Sequence, residues 1–174
     1  MVSALMIVDV QQGMFDPDNT VHRGEDVVAR LGALLRRARV AGTPVFHIQH
    51  DGGPGDTFAR GAPGWAHHPL VAPIAGETVV EKRASSAFTG TDLHRRLQAA
   101  GIDRLVLCGM QTDLCVESTL RGAVSLGYRI VLVSDGHTTY GNPVVSAEQI
   151  IAHHNHTAKG RFATLVAAQD VQFG

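Results

Sequence analysis

Cysteine is scarce in this chain of 174 residues: there are two, Cys108 and Cys115. Two thiols cannot form a disulfide framework, and seven residues apart across a strand-to-helix turn they are badly placed to pair with each other. Aromatic residues make up only 5% of the chain, with a single tryptophan, Trp65. Charge of one sign is also lacking. The formal net charge of -1 excludes a nucleic-acid or acidic-membrane partner recruited by electrostatics. No apolar run approaches the length of a membrane span. The N-terminal apolar stretch stops at Asp9 without a signal-peptide cleavage pattern. No GxGxxG follows an apolar run, which argues against dinucleotide binding, and no internal repeat or low-complexity tract is present. These absences lead us to expect one domain over residues 1–174 in the reducing cytoplasm, with no membrane or nucleic-acid partner.

What is present is a 44% apolar composition, ample for a core, arranged as short apolar runs alternating with helical patterns. ALMIV (4–8), VFHIQH (45–50), ETVVE (77–81), RLVLC (104–108) and YRIVLV (128–133) read as strands, and residues 161–165 as a last short one. Between them, residues 26–41 place Val27, Val28, Leu31, Leu34, Leu35 and Ala38 on one helical face, stopped by Gly42 and Pro44. Leu93, Leu97 and Ala100 mark a second helix, with Thr91 or Asp92 as its cap. Val116, Thr119, Leu120, Ala123 and Val124 mark a third, and Ser146 with Gln149 forms a capping-box pattern for a fourth. Residues 51–74, rich in glycine and proline, read as a long surface loop. The order predicts a three-layer α-β-α domain with a mostly parallel, Rossmann-like sheet of about six strands.

Three residues then stand out by position. Asp9 and Lys82 directly follow apolar strands, and Cys115 lies just past RLVLC, in the first turn of the third helix. Open α/β sheets bind ligands along the rim formed by strand carboxyl ends, so all three are candidates for one site. A thiol needs a base and a cation to serve as a nucleophile, and an acid and a lysine supply them. A helix N-terminus is expected to lower the thiol's pKa. The bland alternatives are a buried cysteine acting as a small hydrophobe and a structural ion pair.

Three segments, DVQQGMF, VVEKRASSAF and LVLCGMQTDLCVESTLRGAVSLGYRIVLVSDG, resemble the isochorismatase-like cysteine hydrolases. That group includes nicotinamidases, N-carbamoylsarcosine amidases, ureidoacrylate amidases and streptothricin hydrolases. The resemblance extends from Leu5 to about Leu165 and implies the same three-layer fold. It also implies an Asp9–Lys82–Cys115 triad that cleaves a small amide, lactam or ureido compound through a thioester. Backbone N–H groups of Gln111 and Cys115 would hold the oxyanion, with a cis peptide before Gln111. It further implies a homodimer or homotetramer. Phe15, Trp65, Phe88, His137 and Tyr140, from loops near the rim, are the expected walls of an apolar substrate pocket.

Two departures narrow the expectation. Nicotinamidases carry an Asp-x-His after the second strand for a metal, whereas this chain reads HIQHDGGPGDTF there. His47, His50, His67, His68, His153, His154 and His156 show no HExxH spacing, so neither metal nor cofactor is expected. The isochorismatases proper lack the nucleophilic cysteine, which this chain has. A thiol amidase, an ether hydrolase that survives loss of Cys115, and a non-catalytic binding module thus remain as three readings.

Overall fold

The computed structural model describes residues 2–173. Six parallel strands form one sheet in the order β5-β4-β1-β6-β7-β8. They are β1 (Ser3–Val8), β4 (Val45–His50), β5 (Thr78–Lys82), β6 (Arg104–Met110), β7 (Arg129–Thr138) and β8 (Thr164–Val166). A two-residue pairing of β2 (Phe15–Asp16) with β3 (Asn19–Thr20), absent from the sequence reading, shapes the turn after β1. The helices are α1 (Gly24–Val40), α2 (Leu93–Ala99), α3 (Glu117–Ser125) and α4 (Ala147–Ala158).

The α/β architecture follows from two apolar faces. On one, Leu5, Ile7, Val106, Cys108 and Val131 pack under Val28, Leu31, Leu34 and Leu35 of α1. On the other, Ala4, Met6, Val8, Leu105 and Leu107 meet Leu93 and Leu97 of α2 and Leu120 of α3. Each fully buried leucine contributes about 1.5–3 kcal/mol, and β1, buried at all six positions, is the centre of both cores. The predicted α1 face is the buried one, and Gly42 ends that helix with φ +66. The Ser146 side chain accepts from the Gln149 N–H in a complete capping box. Asp92 sits at the N-cap of α2 but does not cap it; its carboxylate pairs with Arg95 and Arg96.

Two features position the rim. Gly109, next to β1, has φ +124, and a Cβ there would lie 2.1 Å from the Val8 carbonyl oxygen. Only glycine allows this close approach of strands. Farther along, β6 and β7 slip in register. Leu107 pairs with Leu132 but Gly109 pairs with His137, so residues 133–136 of β7 lie opposite Cys108 alone. The strand therefore bulges strongly before it returns to the ladder. Among the described residues no helix is long and apolar enough to cross a membrane.

Candidate active site

Asp9, Lys82 and Cys115 meet at the carboxyl ends of β1, β5 and β6. Asp9 Oδ2 lies 2.7 Å from Lys82 Nζ, and both side chains are wholly buried. Lys82 Nζ also donates to Cys115 Sγ at 3.3 Å and to the Ala84 carbonyl at 3.1 Å. The strand order explains the use of lysine. β5 lies two strands from β1, a distance of about 10 Å, so a long side chain has to pass over the end of β4 to reach the carboxylate. Asp9 itself has φ 48, a left-handed conformation that Asp tolerates better than most residues and that turns its side chain off the strand.

The turn that carries Cys115 differs from the sequence expectation. Residues Thr112–Val116 form a π-helical turn, with the Val116 N–H donating to the Gln111 carbonyl five residues back, and α3 starts only at Glu117. Cys115 therefore precedes the helix instead of occupying its first turn. The expected lowering of the thiol pKa is also corrected. Burial pushes the thiol up to about 12, the Asp9 charge adds to this, and Lys82 offsets it only in part. Burial raises the Asp9 carboxyl as well, opposed by the charge and hydrogen bond of Lys82 and by a hydrogen bond from the thiol. Apart from those contacts the carboxylate oxygens have no partner. Such a group holds a proton on sulfur at rest beside a carboxylate of raised basicity.

Residues that sequence reasoning left aside hold this rim in place. Gln11 is fully buried; its amide donates to the His50 and Trp65 carbonyls at 3.0 and 2.8 Å and accepts from the His50 N–H at 2.9 Å. It ties the turn after β1 to the end of β4 and to the long loop. The Met110–Gln111 peptide is cis, as the resemblance implies. Thr112, Asp113, Thr139 and Asn155 join a second network behind the turn.

Each of the five candidate pocket residues has packing partners of its own. Phe88 packs on the α2–α3 face and stacks on Tyr128, centroids 6.0 Å apart. Phe15 and Tyr140 pack on the α1 face. Trp65 lies under the Arg60 guanidinium at 5.9 Å. His137 is buried with both ring nitrogens engaged, to Thr112 and Asn155, and offers none to a substrate. A cavity of about 450 Å³ beside the end of β5 is lined by Asp51, Arg60, Glu81, Arg83, Ala84 and Thr89, and neither Asp9 nor Cys115 lines it. Arg83 pairs with Asp51 at 2.9 Å, and Arg60 pairs with Glu81. Among the described residues no group of three or more His, Cys, Asp or Glu side chains has metal-holding geometry.

Residues 3–170 match the Isochorismatase domain. The chain belongs to the isochorismatase family. It is 42% identical over 142 residues to a streptothricin hydrolase of Streptomyces noursei, covering 82% of this chain and 51% of that one. A second streptothricin hydrolase of the same organism is 40% identical, with 56% of its length covered. The chain thus spans about half the length of these relatives. Among solved structures, an isochorismatase from Pseudomonas putida KT2440 aligns with a TM-score of 0.92 at 31% identity, over 96% of this chain and 88% of that one. An N-carbamoylsarcosine amidase from Thermoplasma acidophilum aligns with a TM-score of 0.83 at 26% identity, over 99% of this chain and 100% of that one. This family membership agrees with the α/β sheet and with the resemblance read from the three motifs.

Proposed function

We propose that this isochorismatase-family chain hydrolyses a carbon–nitrogen bond of a small amide, lactam or ureido compound with Cys115 as nucleophile. The observation that carries the proposal is Lys82 Nζ seated 2.7 Å from the buried Asp9 carboxylate and 3.3 Å from the partly exposed Cys115 Sγ. Asp9 takes the thiol proton as sulfur attacks the carbonyl carbon, and Lys82 keeps the carboxylate oriented and balances its charge. The backbone N–H groups of Gln111 and Cys115 receive the oxyanion. Asp9 returns the proton to the departing nitrogen as the C–N bond breaks. Water, deprotonated by Asp9, then cleaves the thioester, releasing the acid and restoring the thiol proton. No cofactor is needed for any of these steps.

The presence of Cys115 favours this reading over ether cleavage, and the name of the full-length Thermoplasma neighbour, an amidase, supports it. A panel of small amides, lactams and ureido compounds, followed by ammonia or amine release and by mass change for ring opening, tests the proposal. Turnover by the wild type and none by Cys115→Ala is expected. Undiminished turnover by Cys115→Ala would transfer the case to the ether-hydrolase reading.

A further inference from the structure

Behind the π-helical turn, away from the Asp9–Lys82 side, lies a buried histidine that the proposed reaction does not use. His137 is 2% exposed, and it comes from the far end of the β7 bulge, where it pairs with Gly109. The bulge is fastened from three directions. The Asn155 amide donates to the Ser134 carbonyl at 2.9 Å. The Ala168 N–H donates to the Asp135 carboxylate at 2.7 Å, and Arg30 donates to the Asp135 carbonyl at 3.2 Å. A segment held this firmly is a rigid base for whatever it touches.

What it touches is the turn carrying the nucleophile. Because the Asn155 Nδ2 is committed to Ser134, its Oδ1 faces His137 Nε2 at 3.1 Å and makes that nitrogen the N–H donor. Burial keeps the ring neutral at physiological pH, with its pKa pushed down to about 4. His137 Nδ1 is then an acceptor, and the Thr112 hydroxyl, 2.9 Å away, donates to it. The three hydrogen bonds along Ser134–Asn155–His137–Thr112 thus each have an assigned direction. Two residues on, just past the end of β7, the Thr139 hydroxyl donates to the Asp113 carboxylate at 2.5 Å. Thr112 and Asp113 are the first two residues of the five-residue turn that contains Cys115.

We propose that His137 is a positioning residue that, through Thr112, fixes the Cys115 turn against the β7 bulge and so sets the sulfur within reach of Lys82 and Asp9. The proposal rests on the thiol-nucleophile reading of the site and adds to it the element that aims the nucleophile. A π-helical turn has looser local hydrogen bonding than an α-helix, so external struts determine where its side chains point. Small displacements of a reacting group cost rate steeply.

The test uses iodoacetamide as probe on the full chain, with labelling of Cys115 and Cys108 followed separately by peptide mass spectrometry across pH. Cys108 is 1% exposed in the core, so its labelling reports opening of the fold. Thr112→Val keeps the β-branched shape but removes the donor; Thr112→Ser keeps the donor. The expected result is Cys115 labelling slowed about tenfold or more in Thr112→Val at neutral pH. Cys108 labelling should be unchanged, with Thr112→Ser close to wild type. His137→Gln, measured in the same way, should slow Cys115 to a similar degree and supplies the answer should Thr112→Val fail to fold. A Thr112→Val profile that superimposes on wild type, or Cys115 and Cys108 changing together, would overturn the positioning role. If wild-type Cys115 reacts no faster than Cys108, the thiol-nucleophile reading itself fails and the positioning role falls with it.

Discussion

Lys82 is the residue on which the site's charge balance turns. Its ammonium is buried against Asp9 with no solvent to take its place. Removing one partner of such a pair leaves an isolated buried charge, a loss of about 3–5 kcal/mol. Lys82→Ala should therefore lower the unfolding free energy measured in urea by an amount in that range, whereas a surface partner such as Arg95, paired with Asp92 and well exposed, should change it by less than about 1 kcal/mol. Equal effects of the two substitutions would contradict the burial described. Asp9, Lys82 and Cys115 were legible in the sequence because each stands just beyond an apolar strand and the parallel order brings strand ends to one rim. Gln11, Thr112 and Asn155 were not legible. Their roles depend on which side chains face each other across the sheet, and no local periodicity encodes that. His137 was picked out as a pocket wall; its two ring nitrogens are taken by Thr112 and Asn155, partners that its local sequence does not reveal.

At the scale of elements, the pairing of β6 with β1 and β7 does most to place Cys115. Five strands of the sheet, the α1 face and the α4 capping box were readable because periodicity and caps are local signals, whereas β2 and β3 were missed and the last strand, read at 161–165, runs Thr164–Val166. The β7 bulge and the π-helical turn were not, since SDGHTT and GMQTDLCV carry no pattern that distinguishes them from an ordinary strand end and helix start. Gly109 shows how closely the pairing is drawn. Gly109→Ala would push a methyl against the Val8 carbonyl at a φ that L-residues resist. It should destabilise the fold by about 4 kcal/mol, read from chemical denaturation. Gly42→Ala also has a positive φ but no atom within 4 Å of its Cβ, and should cost clearly less. A Gly109→Ala protein as stable as Gly42→Ala would mean that β1 and β6 do not approach as described.

For the whole molecule, buried histidines and a depressed carboxylate make stability depend on acid. Burial, aided by the charge of His47, lowers His67 to about 4, and burial likewise lowers His137 to about 4, against an ordinary value of 6.5. Between those values the unfolded chain binds more protons than the folded one, so stability falls as pH drops from 6.5 through 4. Glu77 takes over below that. Burial would raise it, but hydrogen bonds from Arg39, the Ile74 N–H and His47 hold it at about 2 against 4.5. Its contribution is present above 4.5 and is lost as pH falls toward 2. Urea midpoints measured from pH 7 to pH 2 should decline throughout. His67→Gln should flatten the arm between 6.5 and 4 and leave the lower arm in place. An unchanged upper arm in that variant would show that His67 is not held neutral by burial.

The claim that organises the whole account is that Cys115 forms a covalent bond to the substrate's acyl carbon. Acid-quenching a reaction with any amide that the chain turns over, followed by peptide mass mapping, tests it directly. The account predicts an acyl adduct on the Cys115 peptide during turnover, none on the Cys108 peptide, and neither adduct nor turnover in Cys115→Ala. Turnover by Cys115→Ala at the wild-type rate, with no adduct on either cysteine of the wild type, would contradict it.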